Sequence, residues 1–249
     1  MQLDLLEPIV GKSYVAYPRC MCGRYTNTAG VEELNDRFGI PITSKAGTRR
    51  FNIAPTEEVL AIVAPSGHPE ARLLRWGLIP WWAKDRKSAS KMINARVETV
   101  ASTAAYRDLI PKASTRALQL ADGYFEWLKP ERRSEPRQPF FFQVDGGVPF
   151  AFASLWTSAK VEGERIESVT LLTCDSSTNH VASTIHGRMP VILADRDAQR
   201  AWLDPARTTE DVLELCRALP SSRLSARPAN PTVNKAGVEE GPQLLEASG

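Results

Sequence analysis

Histidine and cysteine are scarce in this chain: three and four residues among 249. Cys20, Cys22, Cys174 and Cys216 are too few and too scattered for a disulfide framework, so a reducing, cytoplasmic compartment is expected. Cys20-x-Cys22 has no second close-spaced Cys or His pair to complete a tetrahedral set, so no metal or cofactor is expected. No apolar run approaches membrane-spanning length, and no membrane partner is expected. Neither sign of charge dominates: the net charge is +2, so the whole-molecule field points to no partner class. There is no G-x-G-x-x-G, P-loop, H-E-x-x-H or G-x-S-x-G string and no internal repeat. Those absences argue against a standard nucleotide binder, a zinc peptidase and an elbow-type serine hydrolase. The first twenty residues carry Asp4 and Glu7 where a secretion signal needs basic residues, and Pro8 and Gly11 interrupt them. Residues 1–20 are therefore expected to be a leader, disordered or missing from the mature protein, with one domain over 21–249.

What is present is ordinary globular composition, 43% hydrophobic and 24% charged, with arginine far outnumbering lysine. Val31–Phe38 fits a short amphipathic helix with Asn27 or Thr28 as cap. Strands are predicted over Glu58–Ala64, Ala71–Trp76, Arg116–Ala121, Gly123–Trp127, Pro139–Val144, Pro149–Leu155, Ser168–Cys174 and Val191–Leu193. Asp145-Gly146-Gly147 reads as a tight hairpin turn. Helices are expected over Ser102–Leu109, Asp195–Leu203 and Thr209–Leu219, and coil over the last thirty residues. Strands outnumber helices, so the fold expected is one α+β domain: a mostly antiparallel, barrel-like sheet with flanking short helices.

Four features could carry chemistry. Between Ala71 and Val97 lie seven cations, Arg72, Arg75, Lys84, Arg86, Lys87, Lys91 and Arg96, against the single anion Asp85, with Trp76, Trp81 and Trp82 interleaved. Cations that neutralise phosphate beside rings that stack on bases suit single-stranded nucleic acid; a solvated loop over core tryptophans has the same composition. In KMINARV, Asn94 and Arg96 could orient a carbonyl or contact a phosphate, or simply end a strand. In ADGYFEW, strand alternation puts Tyr124 and Glu126 on one face and Phe125 and Trp127 on the other. A carboxyl among aromatics suits acid–base work if buried; an exposed strand glutamate is the plainer alternative. In TIHGRMP, His186 precedes Arg188 in a loop before a strand.

The colinear strings MCGRYT, RRFNIAPTEEV, RWGLIPWWAKD, NARVET, ADGYFEW, FAFASLW and IHGRMPVIL resemble the SRAP family, the SOS-response-associated peptidases. The resemblance runs from Met21 to the VNKAG and GPQLLE tail. It implies abasic-site sensing in single-stranded DNA by a cysteine that becomes N-terminal, here Cys22. It also implies a positioning asparagine, Asn94, a catalytic glutamate, Glu126, and a supporting histidine, His186. The DNA groove would draw on Arg24, Trp81, Trp82, Arg96 and Arg188. A monomer acting at the bacterial nucleoid after damage is expected, with abasic-site lyase cleavage as a side activity. Three departures stand out: TRALQL replaces a Cys-Leu-x-Pro-like string, Gly187 stands where the family usually has aspartate, and Cys20 has no counterpart.

The chemistry implied explains why Cys22 must lead the mature chain. An open abasic sugar presents an aldehyde. An α-amine condenses with it to an imine, and the thiol on the adjacent carbon then closes a five-membered thiazolidine. An internal cysteine has an amide nitrogen, whose lone pair is tied up in resonance. Misplaced initiation before Met21, with removal of that methionine, is the reading adopted; cleavage of a longer precursor is the other. Two further classes remain open: a thiol peptidase acting on itself, and a non-catalytic single-strand-binding module.

Overall fold

A closed ring of five strands forms the centre of the molecule, and a second sheet packs against it. The computed structural model describes residues 22–43, 46–85, 92–130, 132, 137–237 and 241–247. Among these, the strands in chain order are β1 (Arg24–Asn27), β2 (Arg50–Ile53), β3 (Glu58–Val63), β4 (Glu70–Trp76), β5 (Asn94–Arg96), β6 (Arg116–Ala121) and β7 (Gly123–Leu128). There follow β8 (Gln138–Val144), β9 (Phe150–Val161), β10 (Glu164–Asp175), β11 (Arg188–Pro190), β12 (Ile192–Leu193) and β13 (Leu224–Pro228). The helices are short: α1 (Val31–Phe38), α2 (Val97–Val100), α3 (His180–Ser183), α4 (Arg196–Leu203) and α5 (Thr209–Glu214).

The barrel runs β10-β4-β3-β6-β9 and closes through the β9–β10 pairing; only its β4–β10 contact is parallel. Closure removes free edges, which suits strands as apolar as β3 (EVLAIV) and β6 (RALQLA). The second sheet is ordered β13-β8-β7-β1-β2. Aromatic rings join the two layers. Tyr25 of β1 meets Trp76 of β4 and Phe152 of β9 edge-on at 5.2 and 5.6 Å, and Tyr124 of β7 stacks on Phe142 at 4.7 Å and meets Phe152 at 6.2 Å. Each ring removes a large apolar surface from water, and the edge-on contacts fix the sheets' relative position.

The corner between β6 and β7 positions the front of the chain. Asp122 is buried there; its carboxylate accepts from the Thr26 hydroxyl, from the Thr28 hydroxyl and from the Thr28 amide at 2.6 Å. The β1–β7 register then pairs Arg24 with Phe125, Tyr25 with Tyr124 and Thr26 with Gly123. Gly123 is needed because a Cβ would lie 2.3 Å from the Phe141 ring and 2.9 Å from the Phe142 carbonyl oxygen. Alternation along β7 sends Tyr124 into the main core, while Phe125 and Trp127 pack with Phe141, Ala229, Val233 and Leu245 on the other side.

The α+β, barrel-like architecture expected from the sequence is the one found. Several local expectations are corrected. The cap of α1 is Gly30, with no side-chain cap, because Thr28 is engaged by Asp122 and Asn27 belongs to β1. Ser102–Leu109 is a run of turns instead of a helix. The Thr99 carbonyl accepts from the hydroxyls of Ser102 and Thr103 as well as the Thr103 amide, a competition that weakens helix propagation. The helix expected to reach Leu219 stops at Glu214. Strands β9 and β10 continue to a two-residue turn in which Glu162 and Gly163 take φ of 51° and 87°. The C-terminal stretch expected as coil contributes β13, paired with β8 from Leu224↔Val144 to Pro228↔Phe140.

Candidate active site

Cys22 lies two residues before the start of β1 and is fully buried. Its backbone nitrogen donates to Glu126 Oε1 at 2.6 Å, and its thiol points to the Arg24 carbonyl oxygen at 3.9 Å. Asn94, at the start of β5, donates from Nδ2 to the Cys22 carbonyl at 3.4 Å. Three elements distant in sequence thus meet at one residue: β1, β7 and β5. The sequence alternative of an exposed strand glutamate is excluded, since Glu126 is 2% exposed.

The electrostatics follow from that burial. Desolvation pushes the Glu126 carboxyl up to about 8, against the opposing pull of hydrogen bonds from the Cys22 and Trp127 amides. A carboxyl poised there can hold or release a proton near neutral pH. Burial, and then the Glu126 charge, push the Cys22 thiol well above its ordinary range. The thiol is therefore kept protonated.

The second group of residues lies across β5, β10 and β11. Leu171–Thr173 of β10 pairs with Asn94–Arg96, and Thr173–Asp175 pairs with Arg188–Pro190. The loop before β11 is pinned by Ser176, whose hydroxyl donates to the His186 carbonyl at 2.7 Å and whose amide donates to the Gly187 carbonyl at 3.2 Å. The Arg188 amide donates to His186 Nδ1 at 3.1 Å. Nδ1 also lies 3.1 Å from the Arg188 carbonyl oxygen, so the Arg188 backbone holds the ring through Nδ1 in either tautomer. Among the described residues no group of three or more His, Cys, Asp or Glu is arranged to hold a metal. No helix among them is long and apolar enough to cross a membrane.

A family model described as SOS response associated peptidase (SRAP) matches residues 21–236. The chain belongs to the SRAP family. Two Bacillus subtilis proteins, both called abasic site processing proteins, are among its relatives. YoaM is 36% identical over 197 residues, covering 78% of this chain and 84% of its own, and YoqW is 33% identical over 233 residues, covering 91% and 100%. A crystal structure of a protein from Bacteroides thetaiotaomicron shares the fold, with a TM-score of 0.76 at 21% identity over 91% of this chain and all of that one.

The candidate residues singled out in the sequence fall into three places. Cys22, Asn94 and Glu126 are in contact. His186 and Arg188 are joined to Asn94 and Arg96 through β10. Trp81 and Trp82 lie apart, on a turn after β4, where they are 74% and 43% exposed and meet edge-on at 5.5 Å. That turn is anchored below by Ile79, whose amide donates to the Ser168 hydroxyl and whose side chain packs with Ala159 and Val161. Arg96 is exposed on β5, and Arg24 donates to the Gly23 carbonyl at 2.9 Å. Of the seven-cation cluster, Arg72 is tied to Glu70 and to Glu167 and lies over the Trp156 ring, Trp76 is core, and Arg86, Lys87 and Lys91 lie outside the described residues. Sequence reasoning passed over Asp122, Glu98 and Thr173. The first two sat inside quoted motifs, ADGYFEW and NARVET, as unexplained carboxylates.

Proposed function

We propose that this protein processes abasic sites in single-stranded DNA by forming a covalent crosslink through Cys22. The observation that carries the reading is the 2.6 Å contact between the Cys22 nitrogen and the buried Glu126 carboxyl. It sets an acid–base group on the atom that becomes the reacting amine once Cys22 leads the chain. Loss of the residues before Cys22, by initiation at Met21 and removal of that methionine or by cleavage, belongs to the same proposal.

The amine adds to the aldehyde at C1′ of the open sugar, and the carbinolamine loses water to give an imine. The Cys22 thiol then adds to the imine carbon. A C–S bond forms, the thiol proton passes to the ring nitrogen, and the net change is the loss of one water. Glu126 carries protons between nitrogen and the departing hydroxyl. His186 steadies the sugar oxygen, and Asn94 holds the Cys22 carbonyl so that nitrogen and thiol face the same carbon. An imine at C1′ acidifies C2′, so strand cleavage by β-elimination competes until the thiol closes the ring. Arg24, Arg96 and Arg188 would meet the phosphates, and Trp81 and Trp82 would stack on bases. The protein would act as a monomer in the cytoplasm, at the nucleoid after damage.

The test is incubation with a single-stranded oligonucleotide carrying one abasic site, followed by a denaturing gel. A heat-stable adduct is expected from the mature protein and none from Cys22→Ala. Cleavage before Cys22 without any adduct would favour a self-acting thiol peptidase. Unchanged DNA affinity in Cys22→Ala, with no adduct from the wild type, would favour a non-catalytic binding module.

A further inference from the structure

Glu98 lies on α2, two residues after Arg96, with a half-exposed side chain. Both its oxygens are taken by Arg188: Nη1 donates to Oε1 at 3.0 Å and Nη2 to Oε2 at 2.9 Å. The rest of the Arg188 fork is turned to Thr173, with Nη2 on the carbonyl at 2.6 Å and Nε on the hydroxyl at 3.4 Å. A carboxylate seen side-on offers two oxygens at nearly the spacing of a phosphate face, the shape this fork recognises. Arg96 is also close. Slight burial raises the Glu98 carboxyl, but the Arg188 hydrogen bonds and the charges of Arg188 and Arg96 hold it below the ordinary range.

We propose that Glu98 is an internal stand-in for a DNA phosphate, one that occupies the Arg188 fork and must be displaced when a strand binds. The inference rests on the single-stranded DNA reading above and adds a specificity element to it. A protein whose hold on a lesion is covalent gains by binding undamaged strands weakly. Filling one phosphate site with its own carboxylate lowers affinity for every strand alike and leaves retention to the reaction at Cys22. The contact is half-exposed, so its strength is modest and a phosphate can exchange with it.

The experiment is fluorescence anisotropy with a labelled, undamaged single-stranded oligonucleotide across a salt series. The proteins are wild type, Glu98→Gln, Arg188→Gln and the double variant, each checked by thermal unfolding. Glu98→Gln is expected to bind about two- to fivefold tighter at low salt. Its plot of log affinity against log salt should be steeper by about 0.7, the increment for one more phosphate on a single strand. In the Arg188→Gln background the same change should alter neither quantity. Glu98→Ala should behave as Glu98→Gln does, which covers the case in which glutamine misfolds α2. Unchanged or weaker binding by both Glu98 variants would overturn the proposal and leave Glu98 as a brace for Arg188. Equal tightening with or without Arg188 would reduce it to a general charge effect. No binding by the wild type would remove the DNA reading itself, and this inference with it.

Discussion

Cys22 and Glu126 form a pair in which each sets the other's state. The buried Glu126 carboxyl is at about 8 where its ordinary value is 4.5, so folding disfavours its charged form. The stability this allows is present below about pH 4.5 and is lost as pH rises toward about 8, on the order of a few kcal/mol in all. Denaturant unfolding of the chain with residues before Cys22 should therefore show wild type falling relative to Glu126→Gln across that window. In a chain beginning at Cys22 the α-ammonium would keep the carboxylate charged, and the fall should shrink. Cys22→Ser separates the two halves of the chemistry. It keeps an amine but loses the thiol, so only a borohydride-trapped imine adduct is expected, and the heat-stable product should vanish. A Cβ at Gly187 would meet nothing within 4 Å, so Gly187→Asp should fold with stability within about 0.5 kcal/mol of wild type, checked by thermal unfolding. From sequence, alternation along β7 correctly put Tyr124 with Glu126. It did not say which face met the core, because Phe125 and Trp127 are as apolar as any core pair. The C-terminal tail decides that, by covering Phe125 with Ala229 and Val233.

The β1–β7 pair delivers Cys22 to Glu126, and Asp122 is its clamp. Asp122→Ala would leave the Thr26 and Thr28 donors without their shared acceptor at a largely buried corner. A loss of about 2–4 kcal/mol is expected, read as a drop of about 5–10 °C in the thermal midpoint. Crosslinking should fall with it, since β1 would no longer hold Cys22 in register. The long apolar strands β3 and β6 were legible because each is nearly unbroken between turn residues. The β9–β10 hairpin was legible only in part: its Glu162-Gly163 turn lies between polar residues that look like a loop when pairing partners are unknown. Strand β13 was missed for a related reason. LSARP has little strand character, and its extended form comes from the edge of β8 that it covers. The run from Ser102 to Leu109 shows the converse, where helix-compatible composition yielded to local hydroxyl hydrogen bonds.

At the scale of the molecule, Trp81 and Trp82 stand exposed on a turn after β4, and Arg96 is exposed on β5, the strand whose Asn94 contacts Cys22. Trp81→Ala should cost about 1–3 kcal/mol of single-strand affinity in anisotropy measurements, with little change in thermal stability, because the ring is 74% exposed. The fold class could be read from the count and spacing of apolar runs. The closed ring could not, because besides the β9–β10 hairpin it needs two parallel pairs between β4 and β10, at Ser168↔Arg75 and Val169↔Trp76, which leave no local mark. The most direct measurement is the intact mass of purified protein before and after exposure to an abasic single strand. The expected result is a chain beginning at Cys22 whose mass rises by that of the oligonucleotide less one water, with the adduct mapped to Cys22. A chain beginning at Cys22 that gains no mass, or gains it at another residue, would contradict it.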